Sequence, residues 1–437
     1  MKKILLVNPP VYDFAAYDLW AKPLGLLYLS SLLKQQNINV MFFDYTDRHS
    51  PLLSREEKSN KYGCGHYIRE EIQKPEVIKN IKRKFYRFGI PSDIAEKAFR
   101  QIDTPDIIII NSIMTYWYPG IKEIAAILKS IFPNTPRILG GIYATLCEEH
   151  AKSLEDITDI ASGSLSSLNK IFAKYNIPAS INNEFNYFPA PDYSFYNKLE
   201  YIAIRMSLGC PFNCTYCAQK YLNNKSYTSK TSDIIADEIY NLTGNGNIKN
   251  IAFYDDALLY KPDTGIKPLL KQFIRDHNFF HFHTPNGLHA KFLDLELAEL
   301  MFNAKFINPR FSLESSDYKE QKNSDSKISN TEFAKSMKYL NAAGYKQGEY
   351  TAYLLIGIPG QNISAIKDSI HFVNDLGAKI SLSEYTPIPH TKNWDNINNT
   401  YTEEPLCQNN TYFISQSKEY DKILDIKKLA KDLNNKL

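Results

Sequence analysis

"SLGCPFNCTYCAQKY", residues 207–221, sets Cys210, Cys214 and Cys217 within eight positions of a chain that has six cysteines in 437 residues. A disulfide framework does not fit them. Three is odd, Cys64, Cys147 and Cys407 are scattered, and disulfide-dense chains are short and secreted. A zinc site needs a fourth ligand at a regular spacing, and no CxxC or HxxxH partner follows. Three thiolates without a fourth suit an iron–sulfur cluster that leaves one iron open to another ligand.

Working outward from this loop, strand-like runs follow one another from residue 200: "YIAIRMSL", "NIAFYDD", "FFHFHTPN", "NPRFSLES", "YTAYLLIGI" and "KISLSEYTPI". Between them lie helical segments near 231–243, 264–276, 293–304, 329–342 and 362–376. Six βα units are too few for a closed eight-stranded barrel and fit an open one, a partial (β/α)6 TIM-like barrel over 200–395. In such folds the chemistry gathers where strands end.

Upstream, residues 1–180 alternate in the same way. "KKILLVNPP", "NVMFFDY", "PDIIIINSI", "PRILGGIYA" and, more weakly, "DITDIASG" read as strands, with "PLGLLYLSSLLKQQN" and "YPGIKEIAAILKSIF" as helices. That pattern predicts an α/β, Rossmann-like, doubly wound parallel sheet. Residues 46–104 are polar and rich in Lys and Arg, and are expected to form a helical insertion. Residues 181–199, aromatic and without periodicity, are a linker packed across a surface. Residues 396–437 are expected to be a surface extension with one terminal helix.

With 51 basic against 48 acidic residues, net charge +3, charge alone implies no polyanion, and no nucleic acid is expected. The apolar run of "MKKILLVNPP" ends after four residues, too soon for a signal peptide, and "DIIIINSIM" is too short to span a bilayer. No membrane partner is expected. The chain reads as cytoplasmic, a setting that keeps thiols reduced.

Together, the thiol triplet, the six βα units and the loop motifs resemble the radical S-adenosylmethionine (SAM) superfamily. The domain before them is similar to that of its cobalamin-binding branch, and the resemblance covers about residues 1–395. It implies that Cys210, Cys214 and Cys217 hold a [4Fe-4S] cluster whose open iron is chelated by the amino and carboxylate groups of S-adenosyl-L-methionine. One electron, from a donor such as flavodoxin or ferredoxin, then cleaves the sulfonium to methionine and a 5'-deoxyadenosyl radical, which removes a substrate hydrogen. Holding the sulfonium against the cluster makes ligation and positioning one task.

The resemblance also assigns the strand ends. Tyr216 stands where an aromatic packs near the adenine, and an ordinary core tyrosine is the alternative. "FYDDALL" offers Asp255, Asp256 or the backbone between them to the cofactor's amino group, unless they only cap the next helix. In "FSLESSD", Ser312 and Glu314 share a face, and Glu314 suits the ribose or sulfonium side. In "LLIGIPGQ", Gly357, Pro359 and Gly360 allow close approach beside the adenine, though a tight turn explains the same letters. "TPNGLHA" and "SEYTPIPHT" line the substrate side. His281 and His283 alternate on one face, and with no third ligand nearby they read as polar groups rather than a metal site.

For cobalamin the pattern is incomplete. The branch's Asp-x-His-x-x-Gly has no counterpart in "VNPPVYD". Asp47 and His49 follow the second strand with Leu52 at the glycine position, a coincidence. "ASGSLSSL" stands where relatives carry Gly-Glu-Gly-Glu. "NSIMTYWYPG" and "LGGIYATLCEEHA" do match, placing Asn111, Ser112, Tyr116, Trp117, Gly140 and Gly141 at the upper rim for a corrin held without a histidine ligand. The aromatic pair equally suits burial. The activity implied is methyl transfer to an unactivated carbon of a small molecule or peptide. Its rivals are a radical cyclase or rearrangement enzyme and a non-catalytic iron–sulfur or cobalamin binding protein. A methylthiotransferase fits less well, since the first domain lacks cysteines for a second cluster and "KILDIKKLAKDLNNKL" reads as helix. No residue is singled out as catalytic.

Overall fold

Ile107 to Ile110 are all buried, because the strand they form has a packed layer on each face. Alternate side chains divide between two cores. Ile4, Leu6, Ile107, Ile109 and Ile138 pack against the helix α1 (Leu24–Lys34) and the helix Leu168–Lys174. Leu5, Val7, Ile108, Ile110 and Leu139 pack against the helix Ser92–Phe99 and α2 (Tyr118–Ile131). Unbroken apolar runs of this kind are the mark of strands covered on both sides.

The computed structural model describes residues 1–54, 57–223, 227–244, 247–277, 280–324, 328–397 and 404–437. They form two units, Met1–Glu200 with Ile397–Asn409, and Tyr201–Asn396 with Asn410–Leu437. Among the described residues of the first, β1 (Lys3–Asn8), β2 (Asn39–Asp44), β3 (Ile107–Ile110), β4 (Arg137–Gly140) and β5 (Asp159–Ala161) make one parallel sheet in the order β5-β4-β3-β1-β2. The order reverses between β1 and β3, where such sheets leave a crevice beyond the strand ends.

Residues 46–104 are not the helical insertion expected. Arg69–Ile72 and Val11–Asp13 flank Phe85–Phe88 in an antiparallel sheet, and a single α-helix, Ser92–Phe99, is described in the segment. Part of the segment's charge is internal. Arg87 is buried and paired through two nitrogens with Glu123, at 2.8 and 2.9 Å. "REEI" has helix formers yet lies in a strand, because pairing with Phe85–Phe88 outweighs local propensity. Residues 181–199 lie on the first unit, with Asp192 accepting from Ser30 and Tyr196 donating to Asp44.

In the second unit, β6 (Tyr201–Ile204), β7 (Asn250–Phe253) and β8 (His281–His283) form one parallel sheet. β9 (Arg310–Glu314), β10 (Thr351–Ile356) and β11 (Lys379–Glu384) form another. Parallel bridges Phe282–Phe306 and Leu288–Phe311 link the groups. The longer helices between these strands are Ser232–Leu242, Ile266–Arg275, Leu295–Asn303, Asn330–Ala343 and Ile363–Asp375. Several start where their letters say they should. Asp294 caps Leu297 N, and Ser329 and Glu332 form a capping box.

The C-terminal extension also departs from expectation. Its helix Tyr420–Asn434 is present, but Pro405–Gln408 is a buried 3-10 turn of the first unit rather than surface chain. Asn409 donates to Asp13 at 3.0 Å and Tyr118 to Glu404 at 3.0 Å. Polarity misled the reading here, because these amides and carboxylates are partners of buried groups. Residues 398–403 lie outside the described residues. Among those described, no helix is long and apolar enough to cross a membrane.

Candidate functional site

The cysteine loop leaves β6 through the short strand Ser207–Leu208 and ends in the helix Gln219–Leu222. Cys214 is buried, Cys210 and Cys217 are half-buried, and no cysteine is in a disulfide. What fixes the loop's root is Asp255, just past β7. Its carboxylate accepts from Met206 N at 3.1 Å and from Ser207 N and Oγ at 2.5 Å each. Burial pushes Asp255 up to about 6, against the hydrogen bonds from Ser207 and Met206 and the nearby Arg205 charge.

That shift gives a pH prediction. The folded state holds the Asp255 proton in a range where the unfolded chain has lost it, between about pH 4 and pH 6. Stability linked to this group is therefore greatest below about pH 4 and falls as pH rises to about 6, by about 3 kcal/mol. Asp255→Asn has no proton to lose and removes that slope. Denaturant unfolding of wild type and variant between pH 4 and 7 measures the difference, and parallel curves would refute the assignment.

Asp256 is placed differently. Its Oδ1 accepts from Gln219 Nε2 at 2.7 Å, while its Oδ2 is buried with no hydrogen-bond partner. Burial raises its pKa, and Arg205 and the backbone N–H of Gly209 oppose the rise. A buried carboxylate oxygen left without a donor is costly unless a ligand supplies one. Of the adjacent pair, Asp255 serves the chain and Asp256 keeps an oxygen to spare.

Glu314 closes β9 with φ +69, in left-handed backbone that a non-glycine residue seldom adopts, where the pairing with β10 slips between Ser312 and Glu314. Such outliers persist where surrounding structure holds them, often at ligand sites. The Tyr216 phenol hydrogen-bonds to Glu314 and lies near Cys214 and Cys217; burial first, then Glu314 and the two thiols, holds its pKa well above the ordinary value. Thus Tyr216, Glu314, Cys214 and Cys217 converge. Among the described residues no three His, Cys, Asp or Glu side chains close on a single ion; a four-iron cubane differs in taking each thiolate at a separate iron.

Tyr353 and Arg310, which sequence reasoning missed, and His283, which it read as a polar group, extend this group into the unit's interior. Tyr353 donates to Pro285 O at 2.9 Å and faces Arg310 and Glu314. Buried His283, paired with Asn250 Oδ1 at 3.1 Å, is held down to about 3 by burial, helped by His281 and Arg310. Their signal was the alternation of polar letters within apolar strands. Ser312 is buried on β9. Gly357 has φ +85, its N–H donates to Gln361, and a side chain there would meet Ile414 at 2.8 Å. Pro359 and Gly360 are exposed in the same turn.

In the first unit, Asn111 and Ser112 follow β3. Asn111 donates to Asn8 at 3.2 Å, and Asn8 in turn to Asp44 at 2.8 Å. Ser112 Oγ donates to Gly140 O at 2.7 Å. At Gly141, φ is +97 and a Cβ would lie 2.3 Å from Ser112 O, so the chain's own backbone requires this glycine. Tyr116 is buried, and Trp117 Nε1 donates to Asp13 at 2.8 Å. Asn111, Ser112, Tyr116, Trp117, Gly140 and Gly141 thus all lie beyond the ends of β3 and β4, tied largely to one another and to β1.

Residues 204–373, which span the cysteine loop, Asp256 and Glu314, match the family model described as the radical SAM superfamily. Through this segment the chain is similar to the radical SAM superfamily. Over a longer stretch the chain is 19% identical, across 445 residues, to cytidylyl-2-hydroxyethylphosphonate methyltransferase of Streptomyces wedmorensis, covering 86% of this chain and 78% of that one. The radical SAM methyltransferase TsrM from Kitasatospora setae, solved with cobalamin and a [4Fe-4S] cluster bound, matches 90% of this chain and 74% of its own with a TM-score of 0.65 at 13% identity. OxsB, a cobalamin-dependent SAM radical enzyme solved with aqua-cobalamin and SAM, matches 99% of this chain and 56% of its own with a TM-score of 0.61 at 13% identity. At such identities the likeness of this chain to both structures is one of fold.

Proposed function

We propose that this chain is a cobalamin-dependent radical SAM methyltransferase acting on an unactivated carbon of a small molecule. The observation that carries the proposal is the convergence of Tyr216 and Glu314 beside Cys214 and Cys217, within a fold that runs alongside TsrM for 90% of its length. The relative named as a methyltransferase supports methyl transfer, and TsrM's complex with its tryptophan substrate supports a small organic substrate. In domain terms, residues 1–180 are a Rossmann-like corrin domain, 181–199 its linker, 200–395 a partial (β/α)6 barrel and 396–437 an extension.

In this proposal Cys210, Cys214 and Cys217 hold the [4Fe-4S] cluster, and Asp256 Oδ2 accepts from the amino group of SAM. Glu314 accepts from the ribose hydroxyls, with Ser312 beside it, while Tyr216 and the turn Gly357–Gly360 border the adenine. When bound, the cluster and SAM supply a carbon radical and methylcobalamin supplies the methyl group. The chain's own part is placement. Tyr216 donates to Glu314 before any ligand arrives, so the carboxylate meets the cofactor already oriented. Burial of Asp256 keeps water from competing for its spare oxygen and strengthens the charge-assisted bond it offers. Asn111, Ser112 and Gly140, with Tyr116, Trp117 and Gly141, border the corrin at the crevice beyond β1, β3 and β4. A flavodoxin- or ferredoxin-like donor and a cytoplasmic setting go with an oxygen-labile cluster.

Anaerobic titration with hydroxocobalamin, followed by its visible spectrum, tests the methyl-transfer part. Saturable binding at about 10 μM is the expected result. No binding at ten times that concentration removes cobalamin and the mechanism with it, leaving a radical rearrangement as the better account.

A further inference from the structure

We infer that the loop after β11, residues 385–393, is a clasp that holds the cysteine loop, with His390 and Tyr221 as its contact pair. This rests on the proposal that Cys210, Cys214 and Cys217 carry the cluster. β6 and β11 are the outer strands of their sheets and, among the described residues, do not pair with each other. The cysteine loop follows β6 and the 385–393 loop follows β11. They meet twice. Asn393 N donates to Thr215 O at 2.9 Å, between Cys214 and Cys217. The His390 ring lies flat on Tyr221, with centroids 4.1 Å apart and planes within 5°.

The build of the loop points the same way. Its root is fixed where buried Tyr385 donates its N–H to Ile356 O at 2.8 Å and packs edge-on against Phe413. Pro387 and Pro389 limit its freedom, and Thr391 Oγ1 braces it by donating to Ile388 O at 2.8 Å. At the tip, His390 takes φ +65, a conformation unfavourable for a side-chain-bearing residue. The position is exposed, and Tyr221 is itself 46% exposed, so core packing does not impose it. What the strained backbone achieves is the placement of this ring on Tyr221, which lies in the helix that follows Cys217, the last of the three thiols.

The other side of the cysteine loop is held from β7 and β8, by Gln219 on Asp256 and by Phe212 stacked on His289 at 4.7 Å. A third hold comes from β9, where Tyr216 bonds to Glu314. Without the clasp the loop loses its tie to the β11 side, and segments with fewer contacts open locally more easily. His390 and Tyr221 are positioning residues: they act on the thiols through the loop.

The test uses the apoprotein, reduced and metal-free, with iodoacetamide as probe and peptide mass spectrometry as readout. His390→Ala and Tyr221→Ala should each speed alkylation of Cys210, Cys214 and Cys217 by about five- to tenfold, the scale set by losing one aromatic pair. The double variant should go no faster than either, and His390→Phe, which keeps the stack, should restore the wild-type rate. Cys64 and Cys407, each 1% exposed, report on opening of the first unit. Denaturant unfolding of each variant reports on the second, where a loss of stability in the alanine variants large enough to expose all three thiols would also overturn the inference. Unchanged rates in the alanine variants overturn the inference, as does a Phe variant no better than Ala or an equal rise at Cys64 and Cys407. Iron and sulfide analysis of reconstituted wild type judges the cluster separately, so the two failures are told apart.

Discussion

Replacing Cys210, Cys214 and Cys217 together with alanine is expected to take iron, after anaerobic reconstitution, from about four per chain to background. The visible absorption and the reduced-state magnetic resonance signal should go with it. In the proposed site each thiolate would hold one corner of the cluster and contribute charge that keeps ferric iron bound, so a single replacement at Cys214 should also lose most of the iron. The other three cysteines cannot substitute. Burial pushes the Cys147 thiol up to about 11, so at neutral pH it is protonated, and it is the thiolate that binds metal. Cys64 and Cys407 are enclosed in the first unit. Alanine at Cys64, Cys147 and Cys407 should therefore leave iron content unchanged. Full iron in the variant lacking 210, 214 and 217 would overturn the assignment.

How much of this was legible in the sequence differs by level. The six parallel strands described in the second unit and the five longer helices between them were readable, because buried parallel strands are apolar runs and helix starts carry caps such as Asp294, Ser329 and Asn362. The antiparallel strands within 46–104 were not. "REEI" is polar at every position but one, and its conformation comes from its partner strand Phe85–Phe88. Nor could the letters show that Gln408 and Asn409 are buried, since their partners Cys147 and Asp13 are hundreds of residues distant. At the site, the adjacent carboxylates Asp255 and Asp256 were found but not told apart. Only backbone geometry shows that one closes on Met206 and Ser207 while the other keeps an oxygen without a partner. Gly141 looked like room for a ligand, and Ser112 O accounts for it. Spacing reveals which residue types are present, and long-range contact decides which of them are already occupied.

Glu314 offers the second large effect, because two of its properties can be separated. Its side chain is the partner of Tyr216, and its backbone sits at φ +69 beside the slip in register. Glu314→Gln keeps the shape and the strain but loses the charge, and SAM affinity should fall about ten- to a hundredfold, the span of one charge-assisted hydrogen bond. Glu314→Ala loses the carboxylate and keeps the strain, which for a residue with a Cβ in this region is about 1 kcal/mol or more. Glu314→Gly loses the carboxylate and relieves the strain, with about 0.5–1 kcal/mol returned to the unfolded chain as entropy. Thermal unfolding of the apoproteins should therefore place Gly level with or above Ala. Deoxyadenosine formation with dithionite should be near background in both. The outcome that counts is the split between the two measurements. A glycine variant that melts like wild type yet cleaves no SAM assigns the carboxylate to the cofactor. A glycine variant that cleaves SAM at the wild-type rate would confine Glu314 to shaping the strand end and leave Asp256 as the carboxylate to test next.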